Sequence, residues 1–147
     1  MDERKESKFM AHGKPGTSKS TTMKEAPEEL QECVENCTHC STTCRDTVSH
    51  CLMLGGDHAQ PVHLWLLLDC AEICQTSAHF MMHNSPLHPS TCQACAEVCE
   101  QCAEDCERIP DDQMMEACAE DCRRCAESCS KMAEQQQRRG STLIGVT

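Results

Sequence analysis

The spacing of the cysteines is the feature that most constrains the fold of this chain. Residues 95–106 (CAEVCEQCAEDC) and 118–129 (CAEDCRRCAESC) share the frame CAExCxxCAExC, so their cysteines recur in steps of three and four residues. Side chains at such steps lie on one face of an α-helix, and the steps are typical of the inward positions of a helical bundle. Residues 33–44 repeat the cysteine spacing without the alanines. The repetition indicates that one helical unit was reused.

Start and stop signals divide the chain into four helical segments joined by short connections. The signals are prolines in first turns, glycines after last turns and acidic residues that cap helix starts. These features predict an all-α protein, an antiparallel up-down-up-down four-helix bundle with a cysteine-lined core, over residues 25–138. We expect residues 1–24 to be a disordered N-terminal tail and residues 139–147 a flexible C-terminal tail. The predicted helices run from about Pro27 to Leu54, from between Asp57 and Pro61 to His83, from Ser90 to Arg108, and from the cap at Asp111 or Asp112 to Arg138.

All sixteen cysteines fall on the inward stripes of these helices. The second helix offers the fewest thiols, only two cysteines. The rest of its inward stripe is His63, Leu67, Ser77 and Met81. The candidate metal-ligating thiols are Cys33, Cys37, Cys40, Cys44, Cys51, Cys70, Cys74, Cys92, Cys95, Cys99, Cys102, Cys106, Cys118, Cys122, Cys125 and Cys129.

Composition limits what can fill such a core and where the protein works. The chain of 147 residues has one tryptophan, two phenylalanines and no tyrosine, too few large side chains for an ordinary interior. A net charge of −11 disfavours nucleic acid and anionic membranes as partners. The longest apolar run, residues 62–68, is too short to span a bilayer. With no recognisable secretory signal, we expect a cytoplasmic protein, in which reduced thiols bind metal rather than form disulfides.

Charge favours one metal among those that thiolates select, which are Cu(I), zinc and iron–sulfur clusters. A Cu(I) ion that replaces one thiol proton leaves the charge of the core unchanged, so the thiols could hold on the order of sixteen Cu(I) ions. Zinc in Cys₄ sites would bury a net charge of about −2 at each site. Iron–sulfur ligation usually uses a loop motif that is absent here. Zinc or mixed-metal sequestration, and less readily an iron–sulfur electron carrier, remain the alternatives.

The first, third and fourth predicted helices carry the frame CxxxCxxCxxxC, and the second carries a cysteine pair. This arrangement resembles the four-helix-bundle copper storage proteins of the cytosolic, cysteine-rich type. The resemblance implies a core filled with multiple Cu(I) ions, a role in copper storage or detoxification, and often a homotetramer. It does not imply an enzyme, and the residues agree: a cysteine nucleophile needs one activated thiol, and a core of equivalent thiols singles none out. The acidic residues, Asp105 among them, are expected on solvated outer faces.

The two ends of the predicted bundle differ in their side chains. Met81, His88 and Met132 lie at one end and offer thioether and imidazole ligands for Cu(I), which predicts that copper enters there. The opposite end carries aliphatic residues and is expected to be closed, with His63 as a further candidate ligand. His39 and His50 are interpreted as surface residues.

The run VHLWLLL at residues 62–68 is apolar nearly all round its helix. A helix that faces one core shows a single apolar stripe. We therefore expect Trp65, Leu66 and Leu68 to form the interface of a homo-oligomer.

Overall fold

The computed structural model describes residues 26–144, with side chains for residues 26–135. Its long helices pack in a closed ring, in which each contacts the next along the chain and the last contacts the first. The described part contains no strand. The predicted four-helix bundle is therefore confirmed, and the predicted tail at residues 1–24 lies outside the described residues. The elements are α1 (Glu28–Leu54), a short 3₁₀ helix (Gly56–Ala59), α2 (Pro61–Met82), α3 (His88–Glu107) and α4 (Gln113–Ile144).

Local signals in the sequence account for most helix ends. Gly55 and Gly56 both adopt positive φ, 69° and 56°, in the left-handed region where a side chain is disfavoured, and they end α1. Pro61 occupies the first turn of α2, where its missing N–H costs nothing. Asp112 caps α4 by accepting the backbone N–H groups of Met114 and Met115 at 2.9 and 3.2 Å.

Two predicted boundaries were displaced. Helix α3 begins at His88 rather than Ser90, because Pro89 is tolerated in a first turn. Helix α4 continues to Ile144, beyond the predicted end near Arg138 and into the segment expected to be a flexible tail. A single glycine, Gly140, costs a helix only about 1 kcal/mol relative to alanine and need not end it. The domain limits 25–138 stay a prediction.

Cysteine and alanine fill the centre of the bundle. All sixteen cysteines are fully buried, and the alanines that accompany them in the repeated frame are nearly so. The small alanine side chains let the helices approach closely. The only large side chains that are completely buried are Leu67, Met81 and Met115 among the described residues. The predicted cysteine-lined core is thus confirmed, and it holds little hydrocarbon.

Candidate metal centre

The thiols form a continuous network along the axis of the bundle. Near one end, Cys37 Sγ lies 3.4 Å from Cys129 Sγ and 3.5 Å from Cys125 Sγ. In the middle, Cys70 Sγ lies 3.6 Å from Cys99 Sγ and 3.8 Å from that of Cys122. None of the sixteen cysteines is in a disulfide. The sulfur atoms therefore meet across helices while remaining available to metal.

Many of these thiols belong to groups of four whose sulfur atoms lie within 4.8 Å of one another. A metal held by thiolates at about 2.3 Å needs sulfur atoms about 3.8–4.0 Å apart in tetrahedral or trigonal geometry, close to the separations found. Several cysteines belong to more than one group, so the sites overlap. These groups include Cys37/Cys95/Cys125/Cys129, Cys40/Cys70/Cys74/Cys99, Cys40/Cys44/Cys70/Cys122, Cys44/Cys102/Cys118/Cys122 and Cys74/Cys95/Cys99/Cys125.

The core provides no positive charge to balance thiolates. Among the described residues, the buried polar or charged side chains are Ser41, Thr47, His63, Ser77 and Asp105, with no lysine or arginine. The neighbouring thiol of Cys102, then that of Cys118 and burial, raise the pKa of the Cys106 thiol. A metal ion that binds the Cys106 thiol must therefore displace its proton.

At the end of the bundle where α1 stops, an imidazole and a thioether join the thiols. Cys51 Sγ lies 3.4 Å from His63 Nε2 and 3.7 Å from Met115 Sδ. Burial, with smaller effects of Asp112 and Cys118, raises the pKa of the Cys51 thiol to about 11. The three side chains form a mixed set of soft and borderline ligands for Cu(I).

Asp105 fixes the tautomer of this imidazole. Its carboxylate lies 2.5 Å from His63 Nδ1 and also pairs with Arg108. Because the carboxylate accepts the Nδ1–H, the Nε2 lone pair is left facing Cys51. Burial lowers the pKa of His63, which favours the neutral ring that a metal requires.

The expectation that this end is closed by aliphatic side chains was wrong for Leu54 and Ile109, although Leu67 is fully buried there. Leu54, the last residue of α1, is 57% exposed, and Ile109 is only partly buried. The expectation that Asp105 lies on a solvated face was also wrong, since it is 7% exposed. Helical spacing gave no signal for this burial, because the contact with His63 depends on how α3 is placed along α2 in the bundle.

The opposite end holds the side chains that were predicted to admit copper. Met81 is fully buried, with Sδ 3.7 Å from Cys92 Sγ, and Met132 is 5% exposed. Burial lowers the pKa of His88, and among the described residues its Nδ1 is buried without a hydrogen-bond partner. These positions are compatible with a ligand role, which stays a prediction.

The histidines expected on the surface differ from one another. The side chain of His39 is 66% exposed and pairs with Asp121. That of His50 is only 28% exposed and pairs with Asp112.

The outer face of α2 carries exposed apolar side chains. Val62, Trp65 and Leu68 are exposed, and Leu66 is half-buried. The indole of Trp65 therefore does not pack in the core. None of the helices in the described part of the chain combines the length and the hydropathy that a membrane span requires.

Fold and site together define a class of protein: a helical bundle whose interior is built to hold soft metal ions. The family model of the copper storage proteins matches residues 26–134, and the chain belongs to that family. A search of curated protein sequences finds no significant match.

Solved structures are similar over the same region. A protein from Nitrosospira multiformis is 46% identical, with a TM-score of 0.70 over 74% of this chain and 97% of that one. The Cu(I)-bound copper storage protein BsCsp3 is 32% identical, with a TM-score of 0.68 over 72% and 99%. A cytosolic copper storage protein from Streptomyces lividans, solved with five coppers, is 25% identical, with a TM-score of 0.62 over 73% and 93%.

Proposed function

We propose that this protein takes up several Cu(I) ions and stores them on the thiolates of its core. The observation that carries the proposal is the continuous network of buried sulfur atoms in an interior where the described residues place no lysine or arginine. A monovalent soft cation that replaces one proton per thiolate keeps such an interior neutral. The Cu(I)-bound state of BsCsp3 supports this choice of ion.

The sixteen cysteines are the proposed ligands. Their overlapping four-sulfur groups let ions share sulfur atoms along the axis. His63 and Met115 would complete the set around Cys51 at one end. Met81, His88 and Met132 would do so at the other.

The role is sequestration rather than catalysis. No described thiol is singled out as a nucleophile, because the one imidazole in contact with a core thiol, His63, belongs to a metal-ligand set. We place the protein in the cytoplasm, as the relative from Streptomyces lividans is described. The exposed apolar face around Trp65 and Leu68 supports a homo-oligomer, a tetramer if it follows the resemblance.

An anaerobic Cu(I) titration against a competing chelator tests the function. We expect tight uptake of many equivalents, up to about one ion per thiol. Saturation near four Zn²⁺ ions with no further copper uptake would instead indicate zinc sequestration. A brown protein with iron–sulfur absorption would contradict both forms of metal storage.

A further inference from the structure

Two imidazoles outside the thiol core converge on one carboxylate oxygen. His50 Nε2 lies 2.7 Å, and His58 Nε2 lies 2.8 Å, from Asp112 Oδ2. The three residues come from the last turns of α1, the short 3₁₀ helix and the start of α4. Their side chains are 28%, 21% and 12% exposed. The cluster is therefore partly sheltered but open to water and small ions.

The structural duty of Asp112 does not require two imidazoles. Its Oδ1 already caps α4 through the N–H groups of Met114 and Met115. Hydrogen bonds from His50 first, then from His58 and those amides, hold the pKa of this carboxyl below its ordinary range. The carboxylate thus stays ionised, and Oδ2 faces two nitrogen donors.

The dimensions fit a metal ion after a small opening. Tetrahedral zinc with nitrogen and oxygen ligands at about 2.0–2.1 Å separates its ligand atoms by about 3.3 Å. The distances of 2.7 and 2.8 Å from Asp112 Oδ2 are those of hydrogen bonds. Replacing the two hydrogens by one ion would widen each by about half an ångström. Among the described residues, the ion pairs of Asp112 are with these two imidazoles.

We propose that His50, His58 and Asp112 form a site for one divalent cation of borderline softness, such as Zn²⁺, separate from the thiolate core. Two imidazoles and a carboxylate suit such ions, whereas Cu(I) prefers the thiolates. The exposed rim leaves a position for water as the fourth ligand. The ion would join α1, the 3₁₀ helix and α4. Because His50 directly precedes Cys51 in the chain, the site would lie beside one end of the thiol network in the core.

The test uses the full-length protein saturated with Cu(I), so that thiols do not compete for the probe. Zn²⁺ is titrated against a chromogenic chelator, and we expect one further ion per chain. Asp112→Asn should weaken that binding at least ~100-fold, because loss of even an outer partner of a ligand costs about 10–100-fold. The asparagine oxygen can still cap α4. His58→Gln, on the short 3₁₀ helix, should have a similar effect.

His39→Gln is the matched control, because His39 pairs with Asp121 at 3.0 Å through a single imidazole. It should leave the zinc affinity unchanged. Absence of zinc binding by the wild type, or unchanged binding by both Asp112→Asn and His58→Gln, would overturn the site.

Co²⁺ gives a second readout that identifies the ligands. Nitrogen and oxygen ligation gives visible d–d bands without a sulfur-to-cobalt charge-transfer band. A sulfur-to-cobalt charge-transfer band that is unchanged in both variants would place the ion on cysteines and overturn the site. The copper content is counted in the same sample, so a failure of copper storage appears as a low Cu(I) count rather than as lost binding by the variants.

Discussion

At the scale of single residues, Ser77 marks a position where the stripe of α2 lacks a thiol. Its side chain is fully buried, with Oγ 3.4 Å from Cys92 Sγ. Ser77→Cys changes the volume little and adds one sulfur to the network, so we expect a capacity higher by roughly one Cu(I).

The matched variant removes a sulfur from the same helix. Cys74 lies 3.5 Å from Cys99 and 3.7 Å from Cys125, so Cys74→Ser should lower the capacity by roughly one ion. Anaerobic titration followed by elemental analysis measures both. Equal copper content in wild type, Ser77→Cys and Cys74→Ser would contradict the assignment of this stripe as ligands.

The acidity of Cys51 predicts how copper binding responds to pH. Burial raises its pKa to about 11, so the thiol is protonated at neutral pH and Cu(I) must release that proton. Below this pKa the affinity should rise about tenfold per pH unit for each proton displaced. Chelator competition at pH 6.5 and 8 measures how the Cu(I) affinity depends on pH. Cys51→Ser should remove the contribution of this thiol to that dependence. A pH-independent affinity would refute the exchange of protons for copper.

At the scale of elements, the last turn of α3 positions a ligand on the first turn of α2. Asp105 accepts the Nδ1–H of His63 at 2.5 Å, and this contact orients Nε2 toward Cys51. Asp105→Asn keeps the shape but offers an amide that can donate to Nδ1, which favours the wrong tautomer. We expect about 10–100-fold weaker binding of the ion at Cys51, with the capacity of the central thiols unchanged.

The Asp105→Asn variant is loaded with a few equivalents of Cu(I). Extended X-ray absorption fine structure, or the ¹⁵N NMR chemical shifts of its histidines, would report the loss of the nitrogen ligand. Glu104→Gln, an exposed neighbour on α3, is the control. A nitrogen ligand retained by Asp105→Asn would show that the carboxylate has no positioning role.

Sequence periodicity was enough to predict which thiols face inward, because steps of three and four residues leave only one face for the cysteines. The glycine pair, rather than the periodicity, predicted the turn at Gly55-Gly56. Periodicity could not predict the environment of Asp105, since this depends on the relative height of α2 and α3 in the bundle. The pairing of His50 and His58 with Asp112 was missed for a similar reason: the 3₁₀ helix that presents His58 has no periodic signal of its own.

At the scale of the whole molecule, the apolar face of α2 predicts self-association. Trp65 is 61% exposed and Leu68 is 47% exposed, and burying such side chains stabilises an interface by about 25 cal/mol per Å². Trp65→Glu/Leu68→Glu should shift sedimentation toward the monomer while copper capacity per chain is kept. Thr42→Glu, exposed on α1, is the control. A wild-type protein that sediments as a monomer at micromolar concentration would contradict the interface.

Copper should also stabilise the bundle, because the core holds little hydrocarbon and the folded chain brings several thiols together around each ion, as the unfolded chain rarely does. Ligand at about 1,000 times its Kd adds about 4 kcal/mol for each independent site. We expect the thermal midpoint to rise in steps with Cu(I) equivalents and to fall when a chelator strips the metal. A midpoint that is insensitive to copper would argue against ions in the core.

The sharing of sulfur atoms between four-thiol groups has a consequence for robustness. Cys44 and Cys122 each belong to two of these groups, as do Cys40 and Cys74. An ion that moves along the tube can gain its next sulfur before it releases the last one, so transport needs no free intermediate. When one cysteine is lost, the ion can still bind the neighbouring sulfur atoms. Copper capacity should therefore fall gradually as cysteines are lost, rather than disappear with the first one.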